Sequence, residues 1–268
     1  MEVTTEGLIK SFGTQAVLRG VSLTIRRGEL VAIVGGSGCG KTVLLKHMIG
    51  YLRPDAGRVL VADHGHPGSP LTDLATLSDR KMDGLRVHWG VVFQRNALLT
   101  GDVFYNLALW PREIRDMTDE QIMPVARQAL TDVGLDPDQV LRRSRDALSG
   151  GMAKRLAIAR VLVMDPALIF YDEPTAGLDP EMCNTIHDLI DATHTRTPAS
   201  GIARTSIVVT HDMQMLRRLA PRVVMLAEGT VYFDGTFEQF VARDDPHIRP
   251  YVQQMEALHA RPVDPAQI

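Results

Sequence analysis

Short apolar runs recur along this chain between polar and glycine-rich stretches, and their lengths predict buried strands. One such run is Leu30–Val34, and another, at Leu168–Asp172, leads into two acidic residues. Further strands are expected at residues 58–62, 89–94, 206–210 and 223–227. Between the runs, apolar residues return at helical spacing, most clearly at residues 119–133, which predicts an amphipathic helix there.

Strands and helices alternate from residue 167 onward, which predicts βαβ units and a mainly parallel sheet covered on both faces. Helices are expected at residues 180–193 and at Met213–Leu219, and Glu228-Gly229 is expected to join two short strands as a hairpin. Residues 3–30, punctuated by glycines, predict a separate N-terminal sheet. The chain is therefore divided into an α/β core, an inserted helical lobe and a C-terminal extension, at residues 3–94 with 161–242, 95–160 and 243–268 respectively.

Composition narrows the class of protein further. The chain has 268 residues, of which 45% are apolar and 23% charged, as in an ordinary globular protein. Its formal charge of −3 gives no electrostatic reason to expect a nucleic acid as partner. The two cysteines are far apart, the N-terminus does not resemble a signal peptide, and no apolar run reaches the ~20 residues that cross a bilayer. We therefore expect a cytosolic protein that serves any membrane process from the surface.

A phosphate-binding loop lies between the strand predicted at Leu30–Val34 and a helix that starts near Val43, and Val43 is itself expected to take part in nucleotide binding. The loop matches the pattern G-x-x-x-x-G-K-[ST] in full, with the residues Gly35, Gly36, Ser37, Gly38, Cys39, Gly40, Lys41 and Thr42. Glycines let successive backbone N–H groups and the helix N-terminus point at phosphate oxygens. Lys41 can then reach the terminal phosphates, and the Thr42 hydroxyl can ligate Mg²⁺.

Two further segments have chemistry that fits a nucleotide. Asp172 and Glu173 follow a buried strand, where Asp172 could hold the Mg²⁺ hydration shell and Glu173 could take a proton from the attacking water. Ser149 has the chemistry of an N-cap, and Gly150 and Gly151 leave first-turn N–H groups bare, which makes a second anion site. Taken alone, the acids are equally a solvated strand end, and Ser149 is more simply the cap of a helix without a ligand.

The order of these segments resembles the ATP-binding-cassette (ABC) ATPases. Leu148-Ser149-Gly150-Gly151 stands between the phosphate loop and Asp172-Glu173-Pro174, as the signature of that family does. The other marks follow the family order: Phe12 near the N-terminus, Gln94 after a strand, Ala176-Gly177-Leu178-Asp179 after the acids, and His211 after Val208-Val209-Thr210. The resemblance implies a P-loop NTPase core with a mainly parallel sheet, an antiparallel N-terminal β subdomain and an inserted helical lobe.

The same resemblance implies roles for single residues, with ATP and Mg²⁺ as cofactors. Phe12 would stack on adenine, Gln94 would sense Mg²⁺ and the attacking water, and His211 would bond the γ-phosphate and fix Glu173. Asp179 would lie at the seam of a homodimer, where Ser149, Gly150 and Gly151 bind the γ-phosphate held by the other subunit. Met152 departs from the family, whose usual Gln can hydrogen-bond toward the ribose, because a methionine side chain cannot donate that bond.

A narrower resemblance is to the Mla/Mce-type lipid-transport cassettes. It is carried by residues 150–155, 93–100, 102–107 and 245–251. It implies a transmembrane permease and an Mce-domain lipid-binding protein as partners, no nucleic acid, a place on the cytoplasmic face of the inner membrane, and phospholipid as cargo. The alternatives are a cassette for small-solute import or export, a soluble cassette acting on ribosomes or DNA, and a P-loop GTPase or kinase, although no Asn-Lys-x-Asp run occurs.

Two apolar segments carry less specific expectations. The residues after Gln94 form either the core of the lobe or, in part, a groove for a helix of a partner chain; they are Ala97, Leu98, Leu99, Val103, Phe104 and Leu107. The C-terminal extension has one apolar helical stripe that is expected to pack on its own subunit or to reach another chain; its residues are Ile248, Tyr251, Val252, Met255 and Leu258.

Overall fold

The computed structural model describes residues 1–198 and 201–259, with side chains as far as Met255. The strands are β1 (Val3–Phe12), β2 (Gln15–Ile25), β3 (Leu30–Val34), β4 (Ala56–Val61), β5 (Thr72–Asp73), β6 (Trp89–Val92), β7 (Leu168–Asp172), β8 (Thr205–Val209), β9 (Arg222–Ala227) and β10 (Thr230–Gly235). The helices are α1 (Lys41–Met48), α2 (Asp79–Arg86), α3 (Val103–Arg115), α4 (Asp119–Asp132), α5 (Pro137–Val140), α6 (Gly150–Leu162), α7 (Pro180–Thr195), α8 (Met213–Leu219), α9 (Phe237–Ala242) and α10 (Arg249–His259).

The strands form two sheets. The N-terminal sheet is antiparallel and has the order β2-β1-β4-β5. The main sheet has the order β10-β9-β3-β8-β7-β6, in which all neighbours are parallel except the terminal β9–β10 hairpin. The hairpin turns at Glu228 and Gly229, whose φ angles of 50° and 78° suit the tight turn that a two-residue connection needs. The sheet types expected from the sequence are therefore both present.

Apolar side chains join these layers into three clusters. One lies between the N-terminal sheet, α1 and the main sheet, and it includes Leu18, Leu44 and Phe170. A second connects the helices α3 to α6 with the other face of the main sheet, through residues such as Leu107, Leu156 and Ile169. Because the helices inserted between β6 and β7 share this cluster with the sheet, they are packed onto the core. The predicted boundaries at residues 95 and 160 remain predictions.

The third cluster lies at the end of the main sheet formed by β9 and β10 and contains much of the C-terminal stripe. Ile248 and Met255 are buried in it, and Tyr251 and Val252 pack against it. The stripe therefore packs on its own subunit, which is one of the two expectations for it. The Leu258 side chain lies outside the described residues. None of the described helices is long and apolar enough to cross a membrane.

The carboxyl ends of four neighbouring parallel strands face the same edge of the main sheet. In sheet order these are β3, β8, β7 and β6, and they lead into the phosphate loop, Thr210-His211, Asp172-Glu173 and Phe93-Gln94 respectively. Ligands of open α/β sheets bind at such an edge. The fold thus brings to one edge four segments that are far apart in sequence, from Gly35 at the start of the loop to His211.

Candidate nucleotide-binding site

The loop between β3 and α1 has a backbone that only glycine can adopt at its start. Gly35 has a φ angle of 146°, and a Cβ there would come 2.3 Å from the Leu226 carbonyl oxygen and 2.6 Å from the Cys39 sulfur. Gly40, with a φ angle of 103°, precedes α1, and no side chain caps the first turn of that helix. The N–H groups of the first turn are thus left without a side-chain acceptor, as an anion site requires.

The ammonium group of Lys41 is bound to the backbone of the loop. Lys41 Nζ donates hydrogen bonds to the carbonyl oxygens of Gly35 and Gly36, at 2.8 and 3.0 Å. Held within the loop by these bonds, the ammonium adds a positive charge to the N–H donors of the loop, and this combination suits a polyphosphate.

Two oxygen ligands suitable for Mg²⁺ lie side by side at the sheet edge. The Thr42 hydroxyl donates to Asp172 Oδ1 across 3.4 Å. Burial, and then the neighbouring charge of Glu173, raises the pKa of Asp172 above its usual value. A divalent cation would offset this cost, and a hydroxyl with a carboxylate is the donor set that Mg²⁺ prefers, so these residues fit the ion.

Glu173 and His211 form a pair beside them. Glu173 has a φ angle of 48°, and its N–H donates to the Val209 carbonyl oxygen at 2.9 Å, which turns the chain sharply at the end of β7. His211 Nδ1 lies 2.8 Å from Glu173 Oε2, with the imidazole mostly exposed and the carboxylate mostly buried. An exposed imidazole that orients a carboxylate can hold a water molecule for proton transfer.

The remaining predicted site residues lie around this centre. Gln94 is exposed just beyond β6, while Phe12 ends β1 with 48% of its surface exposed, so Phe12 is not a core residue. The turn that follows Phe12 lines a cavity of about 420 Å³ together with Gly38 and Cys39. An aromatic ring free of the core, beside a cavity that opens on the loop, is in a suitable place to contact a base.

The segment at Ser149 differs from the phosphate loop, because a side chain caps the helix that begins there. The Ser149 hydroxyl accepts a hydrogen bond from the Met152 N–H at 3.3 Å and so caps α6, while Ser149 and Gly150 are exposed. Gly151 packs against Met182, whose N–H donates to the capping carboxylate of Asp179 at 2.9 Å. Within residues 1–198 and 201–259, no hydrogen bond joins Ser149, Gly150 or Gly151 to the phosphate loop. The start of α6 therefore packs against the first turn of α7, which Asp179 caps.

One contact of the site is not predicted by the sequence reasoning above. Lys154 of α6 is buried, and its Nζ donates to the carbonyl oxygens of Phe93 and Gln94, at 3.1 and 3.0 Å. A sequence signal for it exists, because Lys154 shares one helical stripe with the buried residues Ala157, Ile158 and Val161. A lysine in a stripe that is otherwise apolar points to a buried polar partner.

The apolar residues after Gln94 divide as expected between core and groove. Val103, Phe104 and Leu107 are buried in the cluster that the lobe shares with the sheet. Ala97 and Leu99 instead line an open groove of about 660 Å³, together with exposed or half-exposed aromatic residues and charged residues at its rim, which include Tyr51, Phe93, Trp110, Asp83, Arg86 and Arg160.

Comparison with known proteins gives consistent matches over most of the chain. A family model described as ABC transporter matches residues 18–176. The chain is 36% identical over 254 residues to protein TRIGALACTOSYLDIACYLGLYCEROL 3, chloroplastic, of Arabidopsis thaliana, covering 90% of this chain and 70% of that one. It is 34% identical to the L-cystine transport system ATP-binding protein TcyN of Escherichia coli, covering 94% and 97%. It is 33% identical to the intermembrane phospholipid transport system ATP-binding protein MlaF of Haemophilus influenzae, covering 90% and 86%.

Solved structures agree with these matches. CbiO1 from Clostridium perfringens, part of an ABC transporter complex, is 28% identical, covers 96% of this chain and 98% of its own, and has a TM-score of 0.75. A dimeric ATP-binding cassette bound to ADP and Pi is 27% identical, covers 88% and 98%, and has a TM-score of 0.74. The fold predicted from the sequence is therefore confirmed.

Proposed function

We propose that this chain, which belongs to the ABC transporter family and is one of its ATPases, powers the movement of phospholipid between two membranes. The family membership makes the chain an ATP-binding protein, and the finer assignment is the proposal. It is supported by the likeness to the phospholipid transport protein MlaF and by the Met-Ala-Lys-Arg run at residues 152–155.

The observation that carries the mechanism is the separation of two anion sites within one chain. The phosphate loop has bare N–H groups and Lys41, while Ser149 and Gly150 are exposed at another helix start and have no hydrogen bond to that loop in the described part of the chain. Two copies in opposite orientation would bring each loop against the other copy's Ser149, with ATP between them. The dimeric cassette among the solved structures supports this arrangement.

In the part of each site that one chain supplies, different residues have different roles. The N–H groups of residues 35–42 and the ammonium of Lys41 bind the phosphates, and Thr42, Asp172 and Gln94 would hold Mg²⁺, which neutralises charge on the phosphate oxygens when bound. Glu173 accepts the proton of the attacking water, and His211 holds that carboxylate in place. Phe12 would hold the adenine, and Asp179 would contact the facing copy near Ser149.

The open groove described above, which Ala97, Leu99 and Trp110 help to line, is the proposed site for a helix of a transmembrane permease. Most of its lining residues are apolar, four of them aromatic, and Asp83, Arg86 and Arg160 also line it, which suits an amphipathic helix. Such a permease would hold the chain at the cytoplasmic face of the inner membrane, with an Mce-domain lipid-binding protein in the same complex.

The groove can be tested with a matched pair of variants on α3. Trp110 lines the groove and Tyr105 does not, although their exposures are similar, at 45% and 40%. Trp110→Glu should release the chain from membranes and leave the ATPase activity of the isolated chain unchanged, whereas Tyr105→Glu should stay membrane-bound. Equal retention of the two variants in the membrane fraction would contradict the docking site.

The cargo is tested on the complex purified from membranes with the native chain. Mass spectrometry should identify a permease, and lipid extraction should yield bound phospholipid in about equimolar amount. A solute-binding protein and an amino acid in place of lipid would support the second candidate, small-solute transport, which the likeness to the cystine transport protein favours.

A further inference from the structure

Cationic side chains hold the segment that follows β6 by its carbonyl oxygens. Lys154 donates to the Phe93 and Gln94 oxygens, and Arg160, one and a half turns along the same helix, donates to the Ala97 oxygen at 2.8 Å. Arg145 reaches the Leu98 oxygen, and Asn106 bonds both the N–H and the carbonyl oxygen of Leu99. The segment at residues 93–99 is thus fixed by side chains, since it has left the sheet and is not yet helical.

Lys154 is the most unusual of these contacts. The residue is only 2% exposed, and none of the ion pairs among the described side chains includes it. Burial lowers the pKa of the Lys154 ammonium, as expected for a charge without a paired carboxylate. A buried charge is costly unless hydrogen bonds satisfy it, and an apolar residue at this position would pack with Ala157 and Ile158 at no such cost.

The two carbonyl groups that Lys154 bonds belong to residues with opposite surroundings. Phe93 lines the groove, and Gln94 is exposed at the sheet edge where the phosphate loop, Asp172 and His211 also lie. Lys154 itself lies in the second turn of α6, the helix that Ser149 caps. One side chain therefore connects the start of α6, the groove and the neighbourhood of the phosphate loop.

We propose that Lys154 is a positioning residue for ATP hydrolysis, which holds Gln94 at the phosphate site by fixing the backbone of residues 93 and 94. The inference rests on the role proposed above for Gln94, because Lys154 acts through the side chain of that residue. Binding of ATP by the phosphate loop does not require Lys154, so its removal affects turnover more than nucleotide affinity.

Lys154→Met removes the donor and keeps the length and apolar body of the side chain. The matched control is Arg155→Met, since Arg155 is the next residue of α6 and donates to the Gly134 carbonyl oxygen at 2.8 Å, away from Gln94. Hydrogen–deuterium exchange on the full chain without nucleotide should show faster exchange over residues 93–98 in Lys154→Met and no change there in Arg155→Met. Equal exchange in the native chain and Lys154→Met would overturn the proposal.

Kinetic measurements then test whether Lys154 affects hydrolysis through Gln94. Lys154→Met should lower kcat roughly ten- to a hundredfold and leave the KM for ATP within about twofold, because a misplaced group is lost from the transition state and not from binding. Combining Lys154→Met with Gln94→Ala should give the kcat of Gln94→Ala alone. Effects that multiply in the double variant would overturn the proposal.

Two further outcomes have a definite meaning. If Gln94→Ala alone leaves kcat unchanged, the role proposed for Gln94 fails, while exchange over residues 93–98 still decides whether Lys154 fixes the backbone. If Lys154→Met does not fold, Lys154→Gln replaces it, because its amide keeps one donor for the carbonyl groups; it should keep part of the exchange protection and part of kcat. A Lys154→Gln variant that equals the native chain in both measurements would contradict the need for the charge and its two bonds.

Discussion

The phosphate-loop edge of the sheet and the start of α6 are both suited to an anion, yet only the first is assembled within one chain. At the loop, Lys41 bonds the Gly35 carbonyl, Thr42 bonds Asp172, and His211 bonds Glu173, so neighbouring strands have already brought the groups together. At α6, the Ser149 hydroxyl bonds its own helix and no other element among residues 1–198 and 201–259, and Ser149 and Gly150 are exposed. The difference supports the proposal above, in which the catalytic groups belong to one protomer and a second protomer completes the site.

The largest expected effect comes from the assembled region. Glu173→Gln keeps the size of the side chain and removes the basic oxygen, so turnover should fall by about 10²–10⁴ while ATP binding is retained. ATP that is bound and not cleaved should leave a stable dimer, which size-exclusion chromatography with ATP and Mg²⁺ detects. Undiminished turnover would remove Glu173 from the role of base.

A second effect should come from the unassembled region. Gly150 has open space around its Cβ position, so Gly150→Asp fits within one chain but places a negative charge where the facing ATP would lie. ATPase activity should fall roughly a hundredfold, with ATP still bound at the loop.

Gly150→Ala is the control for that variant, since it adds the same Cβ without charge. It should keep most of the activity and the same melting temperature as Gly150→Asp. If Gly150→Asp hydrolyses ATP as fast as Gly150→Ala, the start of α6 is not an anion site, and the comparison between the two regions fails.

The smallest expected effect is on the stability of the folded chain, because burying Asp172 at the phosphate-loop edge costs free energy. The pKa of Asp172 is raised in the folded chain, so the stability linked to its neutral form is complete below the pKa of an unfolded aspartate and is lost as the pH rises through the raised value. At about pH 7.5 without Mg²⁺ or nucleotide, Asp172→Asn should melt a few degrees higher than the native chain, the shift that ~1 kcal/mol gives at this size.

The control for Asp172→Asn is Asp83→Asn, whose carboxylate is 74% exposed. It should leave the melting temperature unchanged, and the gain of Asp172→Asn should disappear near pH ~4, where the native aspartate also takes up a proton. A lower melting temperature for Asp172→Asn at neutral pH would contradict the cost that burial implies.

How much the sequence predicts differs between the same two regions. The strands that end at the site are readable because they are short apolar runs, and the bounds of β3, β7 and α8 agree with expectation to the residue. The strand expected at residues 89–94 ends at Val92, because the carbonyl groups of Phe93 and Gln94 bond Lys154 instead of a neighbouring strand. Helix α2 is not predicted, since its residues Asp79–Arg86 are mostly charged and Met82 and Leu85 are its only apolar side chains, too few for a helical period to be recognised.

The site residues also differ in how far the sequence predicts them. The phosphate loop is recognisable because its chemistry requires a fixed local spacing. The contacts of Lys154, and the approach of Gly151 to Met182, depend on how α6 packs across the chain, and local patterns contain no information on that. The roles of the predicted site residues, and the consequence of Met152, stay predictions.

The claim that each site is shared between two copies is tested most directly by mixing two inactive variants. Lys41→Ala disables the phosphate loop, and Gly150→Asp disables the start of α6 that faces it. A homodimer of either variant therefore has no intact site. A mixed dimer has one intact site, formed by the loop of one chain and Gly150 of the other, and an equal mixture should recover up to roughly a quarter of the native ATPase activity by random pairing. A mixture that stays as inactive as its components would contradict a shared site.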